Sequence, residues 1–386
     1  MSVITAKRLE TIEEYYFSIK LREVRELIHS GKPVINMAIG SPDLPPPASV
    51  IKAITQAVTL DGAHKYQSYQ GLPELRQAIE NFYEEQYLVS LDSKTEILPL
   101  MGSKEGIMHI SMAYLNEGDQ VLIPNPGYPT YTSVSKLLGA EPVYYELSEI
   151  NNWEPNLEAL EKSDLSKVKI MWINYPHMPT GAPGSKKMFK NLIAFAKKHN
   201  ILLVNDNPYS FVLNPEPMSI LGFEGAKEVA LELNSLSKTF NMAGWRVGMV
   251  LGSKEKINAI LKVKSNMDSG MFQGLQKGAI TALASGSEWF SNMNAIYSKR
   301  RLLIWKLASL LGCTYDEKAT GMFVWAKLPN GVLNAEEFID RILYEKSVFI
   351  TPGTIFGSQG KGYIRFSLCI SEKSIEEAIE RLKGFI

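Results

Sequence analysis

The stretch VALELNSLSKTFNMAGWRVGMVLG, residues 229–252, joins an apolar strand pattern to a polar turn and then to a second apolar run. Between the two runs stand Ser235, Ser237, Lys238 and Arg246. A lysine amine can form a covalent link with an aldehyde, while hydroxyl and guanidinium groups can bind a phosphate. The segment therefore fits an aldehyde cofactor that carries a phosphate, such as pyridoxal phosphate. A serine-rich turn with a solvated lysine explains the segment equally well.

Apolar strand patterns alternate with helical patterns through the middle of the chain. The strands are predicted at residues 120–124, 169–174, 201–206, 229–234 and 247–252. Helical patterns such as residues 187–199 separate most of them, which predicts an α/β domain with a largely parallel sheet. The last strand follows its predecessor too closely for a helical crossover, so we expect it to run antiparallel.

The two ends of the chain predict a smaller α+β lobe. Helical patterns at 254–264 and 289–311 precede short strands near 322–328, 348–350 and 363–368. The N-terminus has a helical pattern, and the proline-rich residues 33–48 predict an extended arm. The predicted parts are an N-terminal helix and arm belonging to the small domain, a large domain and a C-terminal small domain. Their expected limits are residues 1–48, 49–285 and 286–386.

Composition favours a globular protein that acts on small molecules. The 386 residues are 45% hydrophobic and 21% charged, with 41 basic and 41 acidic side chains. Without a basic tract, charge gives no indication of nucleic-acid or membrane binding. Cys313 and Cys369 are too few for a disulfide framework, and the N-terminus lacks the apolar core of a signal peptide. These features predict a cytoplasmic protein, and no metal site is expected.

Polar residues follow three of the predicted strands at equal spacing. Asn174, Asp206 and Lys238 are separated by 206 − 174 = 32 and 238 − 206 = 32 residues. One strand–helix–strand unit takes roughly 30 residues or more, so each unit brings one polar group to the same sheet edge. Ligands bind at that edge in open α/β sheets. The alternative is that Asn174 and Asp206 only cap the following loops.

Eight motifs in order resemble the class I/II aminotransferases, which are fold-type I pyridoxal-phosphate enzymes. They are IGSPDLPPP (39–47), KYQSYQGLPELR (65–76), GSKEGI (102–107), PNPGYPTY (124–131), NYPHMPTG (174–181), DNPY (206–209), SLSKTFNMAGWRVG (235–248) and PGTIFGSQGKGYIRFS (352–367). The resemblance covers nearly the whole chain. It implies a seven-stranded, mostly parallel sheet flanked by helices in the large domain.

The resemblance assigns catalytic roles to Lys238, Asp206 and Tyr209. Lys238 corresponds to the lysine that binds the cofactor and then moves a proton. Asp206 would keep the pyridine nitrogen protonated, and Tyr209 would donate a hydrogen bond to the phenolic oxygen of the ring. Tyr128 would stack on the ring face, and Asn174 is expected among the cofactor-binding residues.

The resemblance also predicts a phosphate site. The glycine turn at Gly102 opens a helix whose first N–H groups would face an anion. The expected phosphate-binding residues are Gly102, Ser103, Lys104, Ser235, Ser237 and Arg246. In the family, a tyrosine corresponding to Tyr66 reaches the phosphate of the neighbouring subunit, which implies a homodimer with shared active sites.

Substrate binding is expected at Arg365 and Gly40. Arg365 resembles the clamp for the α-carboxylate, because a planar guanidinium can donate two parallel hydrogen bonds to it. The Gly40 backbone would approach the same carboxylate. The chain departs from the family at Met178, where an asparagine usually donates to the phenolic oxygen of the cofactor. A thioether cannot donate this bond, so the electronic tuning of the cofactor is expected to differ.

We therefore expect a pyridoxal-phosphate aminotransferase that moves an amino group between an L-amino acid and a 2-oxo acid. The alternatives are a C–S β-lyase on the same scaffold and a non-catalytic ligand-binding relative. Intact Lys238, Asp206 and Arg365 disfavour the latter. The sequence does not indicate which amino acid is the donor.

Overall fold

The alternating patterns fold as a large sheet with helices on both faces. The structure is a computed structural model that describes residues 3–12, 14 and 16–385. Its strands are β1 Ile35–Asn36, β2 Ile97–Leu100, β3 Gln120–Asn125, β4 Glu141–Glu146, β5 Val168–Ile173, β6 Leu202–Asp206, β7 Ala230–Ser235, β8 Gly248–Gly252, β9 Thr314–Tyr315, β10 Phe323–Lys327, β11 Val348–Phe349, β12 Thr351–Pro352 and β13 Tyr363–Ser367.

Its helices frame these strands along the chain. They are α1 Tyr16–His29, α2 Ala48–Ala57, α3 Pro73–Tyr87, α4 Ser103–Tyr114, α5 Thr130–Leu137, α6 Leu157–Leu160, α7 Lys186–His199, α8 Ala226–Val229, α9 Leu236–Thr239, α10 Lys254–Lys264, α11 Gln273–Leu283, α12 Gly286–Leu310, α13 Ala335–Lys346 and α14 Glu372–Leu382.

Helix α7 shows how local sequence sets an element's limits. Ser185 precedes it and accepts a hydrogen bond from the Met188 N–H at 3.0 Å, which satisfies one free donor of the first turn. Asn200 ends the helix in the left-handed conformation, a common helix stop. Basic residues fill the last turn, where they meet the negative end of the helix dipole. The predicted helix at 187–199 is thus confirmed.

Within the described residues, the large sheet has seven strands in the order β2-β8-β7-β6-β5-β3-β4. Strands β4, β3, β5, β6 and β7 are parallel neighbours. Strand β8 runs antiparallel to both β7 and β2, which confirms the expectation drawn from its short connection. Strands β2 and β4 were not predicted. Both lie at edges of the sheet; β2 has only four residues, and Tyr145 is the one buried residue of β4.

The sheet buries both faces. On β5, Met171 and Ile173 join one hydrophobic cluster, while Ile170 and Trp172 join the cluster on the other face. Successive side chains of a strand point to opposite faces, so a strand that is apolar throughout needs cover on both sides. This explains the continuous apolar runs in the sequence.

Residues from both chain ends build the smaller lobe. Strands β12, β13, β10 and β9 form an antiparallel sheet, and β1 from the N-terminal arm pairs with β11 near the C-terminus. The structure therefore confirms an α/β fold with a smaller α+β part that uses both ends of the chain. The limits at residues 48/49 and 285/286 stay predictions.

The N-terminal segment contains the predicted helix. It contains a 3-10 turn at Lys7–Leu9 and helix α1, while residues 1, 2, 13 and 15 lie outside the described residues. The arm that follows is held by an ion pair, in which the buried Arg300 binds the Asp43 carboxylate at 2.7 and 2.9 Å.

In the part of the chain that the structure describes, no helix is both long and apolar enough to cross a membrane.

Candidate active site

Strands β5, β6 and β7 deliver their polar residues to one cavity. The cavity has a volume of about 730 Å³, and Asn174, Asp206 and Lys238 all line it. Asn174 directly follows β5, Asp206 is the last residue of β6, and Lys238 lies in the short helix α9 after β7. The even spacing in the sequence therefore corresponds to three neighbouring strand ends, as expected.

Asp206 lines the cavity and carries a buried carboxylate oxygen without a hydrogen-bond partner among the described residues. The side chain is buried, and its Oδ2 accepts a hydrogen bond from the Tyr131 hydroxyl at 2.9 Å. Its buried Oδ1 has no hydrogen-bond partner among the described residues. Burial raises the pKa of the Asp206 carboxyl to about 7. An unsatisfied buried oxygen next to a cavity indicates that a ligand with an N–H or O–H donor is expected there.

Asn174 holds the strand end in position through backbone contacts. Its amide nitrogen donates to the backbone carbonyl of Asp206, and its oxygen accepts from the Met178 N–H at 2.9 Å. Both polar ends of the side chain are therefore engaged with the protein. Its predicted cofactor contact stays a prediction, while the contacts described here orient Asp206 and the Met178 loop.

Lys238 lines the same cavity. Its ammonium donates a hydrogen bond to the Gly40 carbonyl of the N-terminal arm. Burial, together with the nearby guanidinium groups of Arg365 and Arg246, lowers the pKa of the Lys238 amine. A lowered pKa increases the fraction of free amine, which is the form that attacks a carbonyl.

Gly40 leaves little room for a side chain. A Cβ at this position would lie 2.5 Å from Cζ of Phe323, so the Phe323 ring would have to move. The absence of a side chain lets the arm lie directly over the cavity. The predicted approach of Gly40 to a substrate carboxylate stays a prediction, and its observed partner is Lys238.

The expected phosphate-binding residues lie together at one end of the cavity. Ser103, Lys104, Ser235, Ser237 and Arg246 all line it. Helix α4 begins at Ser103 without a side-chain cap, so the N–H groups of its first turn are available for an anion.

Gly102 has no side chain, which leaves space for the Arg246 guanidinium at this end of the cavity. Its φ is +91°, and an added Cβ would overlap the Arg246 guanidinium. Glycine is therefore required both for the turn and for the close approach of Arg246. The result is a guanidinium and a helix N-terminus within one small volume, as a phosphate site needs.

Arg365 is a buried cation without an acidic partner in the described part of the chain. It donates to the Ala38 carbonyl at 2.9 Å, and its Nε is buried without a hydrogen-bond partner. The guanidinium carbon lies 4.0 and 4.7 Å from the ring centroids of Phe323 and Phe356. Burial lowers the pKa of Arg365 to about 10. An unpaired buried guanidinium at a cavity wall is suited to an anionic ligand.

Two tyrosines line the cavity where the motifs place them. Tyr128 and Tyr209 both face it, and burial raises the pKa of each phenol. Both hydroxyls therefore keep their protons and serve as hydrogen-bond donors.

Sequence reasoning did not single out Tyr131, although the structure places it in the site. Its hydroxyl binds Asp206, and its ring stacks on Trp172 at 4.8 Å between centroids. The sequence signal that could have identified Tyr131 is its position three residues after Tyr128, at the start of α5. The apolar wall made by Phe17, Phe323, Ile355 and Phe356 was also not predicted.

Tyr66 does not line the cavity of its own chain. It is 90% exposed, on a loop beside residues 266–272. The two loops touch, since the His64 and Phe272 rings stack at 6.0 Å between centroids. The predicted contact of Tyr66 with the phosphate of a second subunit stays a prediction. The exposed position of Tyr66 is compatible with such a contact.

A buried charged cluster supports the start of helix α4. Glu105 accepts a hydrogen bond from the Met101 N–H at 2.6 Å and lies 3.1 Å from His109 Nε2. Oxygen and nitrogen atoms of Glu105, His109 and Asp268 lie within 4.8 Å of one another. Because the Lys264 ammonium already binds Asp268 at 2.8 Å, we interpret the group as a polar cluster beside the first turn of α4 and not as a metal site.

Comparisons with known proteins agree with this arrangement. The family described as aminotransferase class I and II matches residues 32–382. LL-diaminopimelate aminotransferases from Dehalococcoides mccartyi and Nitratidesulfovibrio vulgaris are 40% and 39% identical, over 383 and 380 residues. In each case the alignment covers 98% of this chain and 98% of the relative.

Solved structures show the same fold. The apo structure of BacF from Bacillus subtilis superposes with a TM-score of 0.95 at 35% identity, covering 100% of this chain and 98% of that chain. An aminotransferase from Staphylococcus aureus has a TM-score of 0.89 at 32% identity, covering 98% of each chain. Together with the cavity described above, the match over nearly the whole length shows that this chain belongs to the class I and II aminotransferase family.

Proposed function

We propose that the protein binds pyridoxal 5′-phosphate in this cavity and uses it to move an amino group between an L-amino acid and a 2-oxo acid. The observation that supports this most is that Lys238 and Asp206, whose buried Oδ1 has no hydrogen-bond partner among the described residues, line one cavity together with the predicted phosphate-binding residues. The residues fit the cofactor, because each of its polar groups would find a complementary partner. The cofactor, when bound, supplies a carbonyl that condenses with amines and a ring that accepts electrons.

Each site residue then has a physical task. Asp206 would accept a hydrogen bond from the pyridine nitrogen and keep it protonated. The α4 N-terminus, Ser235, Ser237 and Arg246 would bind the phosphate, while Tyr209 would donate to the phenolic oxygen. Lys238 would hold the cofactor covalently and move the proton of the substrate Cα.

The proposed working form is a homodimer with shared active sites. The exposed Tyr66 loop and the neighbouring residues 266–272 support this, because they project a tyrosine away from their own cavity. We also propose cytoplasmic localisation, in keeping with the two free cysteines.

A C–S β-lyase would use the same lysine, aspartate and arginine. The experiment that separates the two functions measures both outcomes on one purified enzyme: amino transfer from a panel of L-amino acids to 2-oxoglutarate, and release of ammonia and pyruvate from a cysteine conjugate. We expect transfer to dominate. Release of ammonia and pyruvate without transfer would replace the proposal with the lyase. A protein that takes up no cofactor would instead be a non-catalytic relative.

Replacing Arg365 with lysine should weaken the carboxylate clamp. A lysine cannot form the two parallel bonds of a guanidinium, so kcat/KM for amino acids should fall by about 1 to 3 kcal/mol of transition-state stabilisation. Steady-state kinetics with an amino acid and with its decarboxylated amine make the comparison. The amine should be much less affected, and equal losses for both would show that Arg365 acts structurally.

Replacing Met178 with asparagine should change the titration of the loaded enzyme. Met178 lines the cavity, and its Sδ lies 3.5 Å from Arg365 Nη1. An amide donor would stabilise negative charge on the phenolic oxygen of the cofactor, so the pKa seen in its visible absorbance should fall. Spectrophotometric titration of wild type, Met178→Asn and the apolar control Met178→Leu measures this. An unchanged pKa in the asparagine variant would refute the effect.

Without cofactor, Asp206 should make stability depend on pH. Its pKa is about 7 in the folded protein and 3.8 in the unfolded chain, so between these values the folded state retains a proton that the unfolded state loses. The stability advantage of this neutral carboxyl is present at low pH and is lost as pH rises towards 7, by up to roughly 4 kcal/mol. Urea unfolding of cofactor-free wild type and Asp206→Asn should show a stability difference that shifts against wild type as pH rises. A pH-independent difference would contradict the assignment.

A further inference from the structure

We infer that the amino donor carries an apolar side chain, aromatic, aliphatic or thioether, rather than a second charged group. The inference rests on the proposed function and concerns the part of the cavity beyond the cofactor groups. It differs from what the names of the similar curated proteins indicate, since diaminopimelate carries a second ammonium and a second carboxylate.

The wall around the carboxylate clamp is apolar. Phe323 and Phe356 place their rings 4.0 and 4.7 Å from the Arg365 guanidinium carbon, and the Met178 sulfur lies 3.5 Å from its Nη1. Phe17 and Ile355 line the same cavity. A substrate whose α-carboxylate binds Arg365 lies beside these groups, and an apolar side chain that packs on them gains free energy from burial.

The described part of the cavity lining has no acid left for a second ammonium. Among the described residues that line it, Asp206 is the sole carboxylate, and its free oxygen is needed by the cofactor ring. A substrate ammonium buried here would have no anionic partner, which is strongly unfavourable.

The loops expected to face a second subunit do not supply one either. Residues 64–70 contain no acid, and Asp268 in residues 266–272 is already paired with the Lys264 ammonium at 2.8 Å. The side chain of Asp268 is only 6% exposed, so its charge is not free for a ligand.

Among the lining residues that the structure describes, no cation is free for a second carboxylate. Lys104 and Arg246 lie at the phosphate end, where the Arg246 guanidinium packs against Gly102. Lys238 is committed to the cofactor in the proposed function, and Arg365 to the α-carboxylate.

Three acids with seven carbon atoms each separate the possibilities without any chemical turnover. Heptanoate, pimelate and 7-aminoheptanoate share one carboxylate and end in a methyl group, a second carboxylate and an ammonium. We expect isothermal calorimetry on the loaded enzyme to show heptanoate binding at least about tenfold more tightly than either charged acid. Equal or tighter binding of pimelate or 7-aminoheptanoate would overturn the inference.

Donor kinetics provide the second readout. We expect kcat/KM for phenylalanine, leucine or methionine to exceed that for LL-diaminopimelate and glutamate by at least about tenfold. Transfer from LL-diaminopimelate as the best donor would overturn the inference while leaving the proposed aminotransferase function intact. Absence of transfer from every donor, with no cofactor bound, would instead reject the proposed function.

A charge introduced at residue 355 tests where the side chain of the substrate lies. Ile355→Glu adds an acid to the apolar wall, and Ile355→Gln is a neutral control of the same shape. Affinity for 7-aminoheptanoate should be at least about fivefold higher in the glutamate variant than in the glutamine variant, and affinity for pimelate should be lower. Equal affinities in the two variants would show that the distal end of the ligand does not reach Ile355 and would contradict the inferred wall.

Discussion

Lys238→Ala is expected to reduce turnover by roughly 10⁴-fold or more and to remove the visible absorbance band of the covalently bound cofactor. The loss is large because one side chain has two tasks, anchoring the cofactor and moving the substrate proton. The structure supports both, since the Lys238 amine is buried in the cavity, has a lowered pKa and lies against Gly40 of the arm. Absorbance spectra and steady-state kinetics of the purified variant measure the two effects separately.

Lys104→Ala is the matched control for this substitution. Lys104 also lines the cavity, but at the phosphate end. It should keep the covalent link and lose only cofactor affinity, through one cation fewer near the phosphate. If Lys238→Ala keeps the absorbance band while Lys104→Ala loses it, the roles of the two lysines are wrongly assigned.

Asp206→Asn should lower kcat by roughly 10² to 10³-fold, the typical loss when one preorganised electrostatic group is removed from an active site. A neutral amide cannot stabilise the protonated pyridine nitrogen, so the ring becomes a poorer electron acceptor. Tyr131 holds the other oxygen at 2.9 Å, which fixes the carboxylate in place. Single-turnover kinetics with a saturating amino acid isolate this effect from substrate binding.

Tyr131→Phe provides the comparison variant. It removes one hydrogen bond to Asp206 but leaves the charge, so kcat should fall by only about tenfold. An Asp206→Asn enzyme with nearly wild-type kcat, in the presence of bound cofactor, would show that the carboxylate does not tune the ring.

The large sheet was predictable because its strands carry their own signal. Strands β3, β5, β6, β7 and β8 consist mostly of buried apolar residues, since both faces of the sheet are covered, and a helix such as α7 has a clear capping residue. Strands β2 and β4 could not be predicted in the same way. The four residues of β2 are too few for a pattern, and β4, at the sheet edge, has a single buried residue and no continuous apolar run.

The polar half of the site was predictable, whereas its apolar half was not. Asn174, Asp206 and Lys238 are equally spaced at the ends of neighbouring parallel strands. The strand order therefore brings them to one edge of the sheet. Phe17 and Phe356 are ordinary core residues in the sequence, and only the packing of the two chain ends against the sheet brings them to the cavity. The free oxygen of Asp206 also depends on tertiary contacts, because Tyr131 occupies only one side of the carboxylate.

Borohydride reduction of the purified enzyme with pyridoxal 5′-phosphate, followed by peptide mass mapping, tests the proposed chemistry most directly. Reduction makes the link between the cofactor carbonyl and a lysine amine permanent. We predict that one reduced cofactor per chain is found on the peptide that contains Lys238. Recovery of the cofactor on a different lysine, or an unmodified Lys238 peptide in an enzyme that transfers amino groups, would contradict the account.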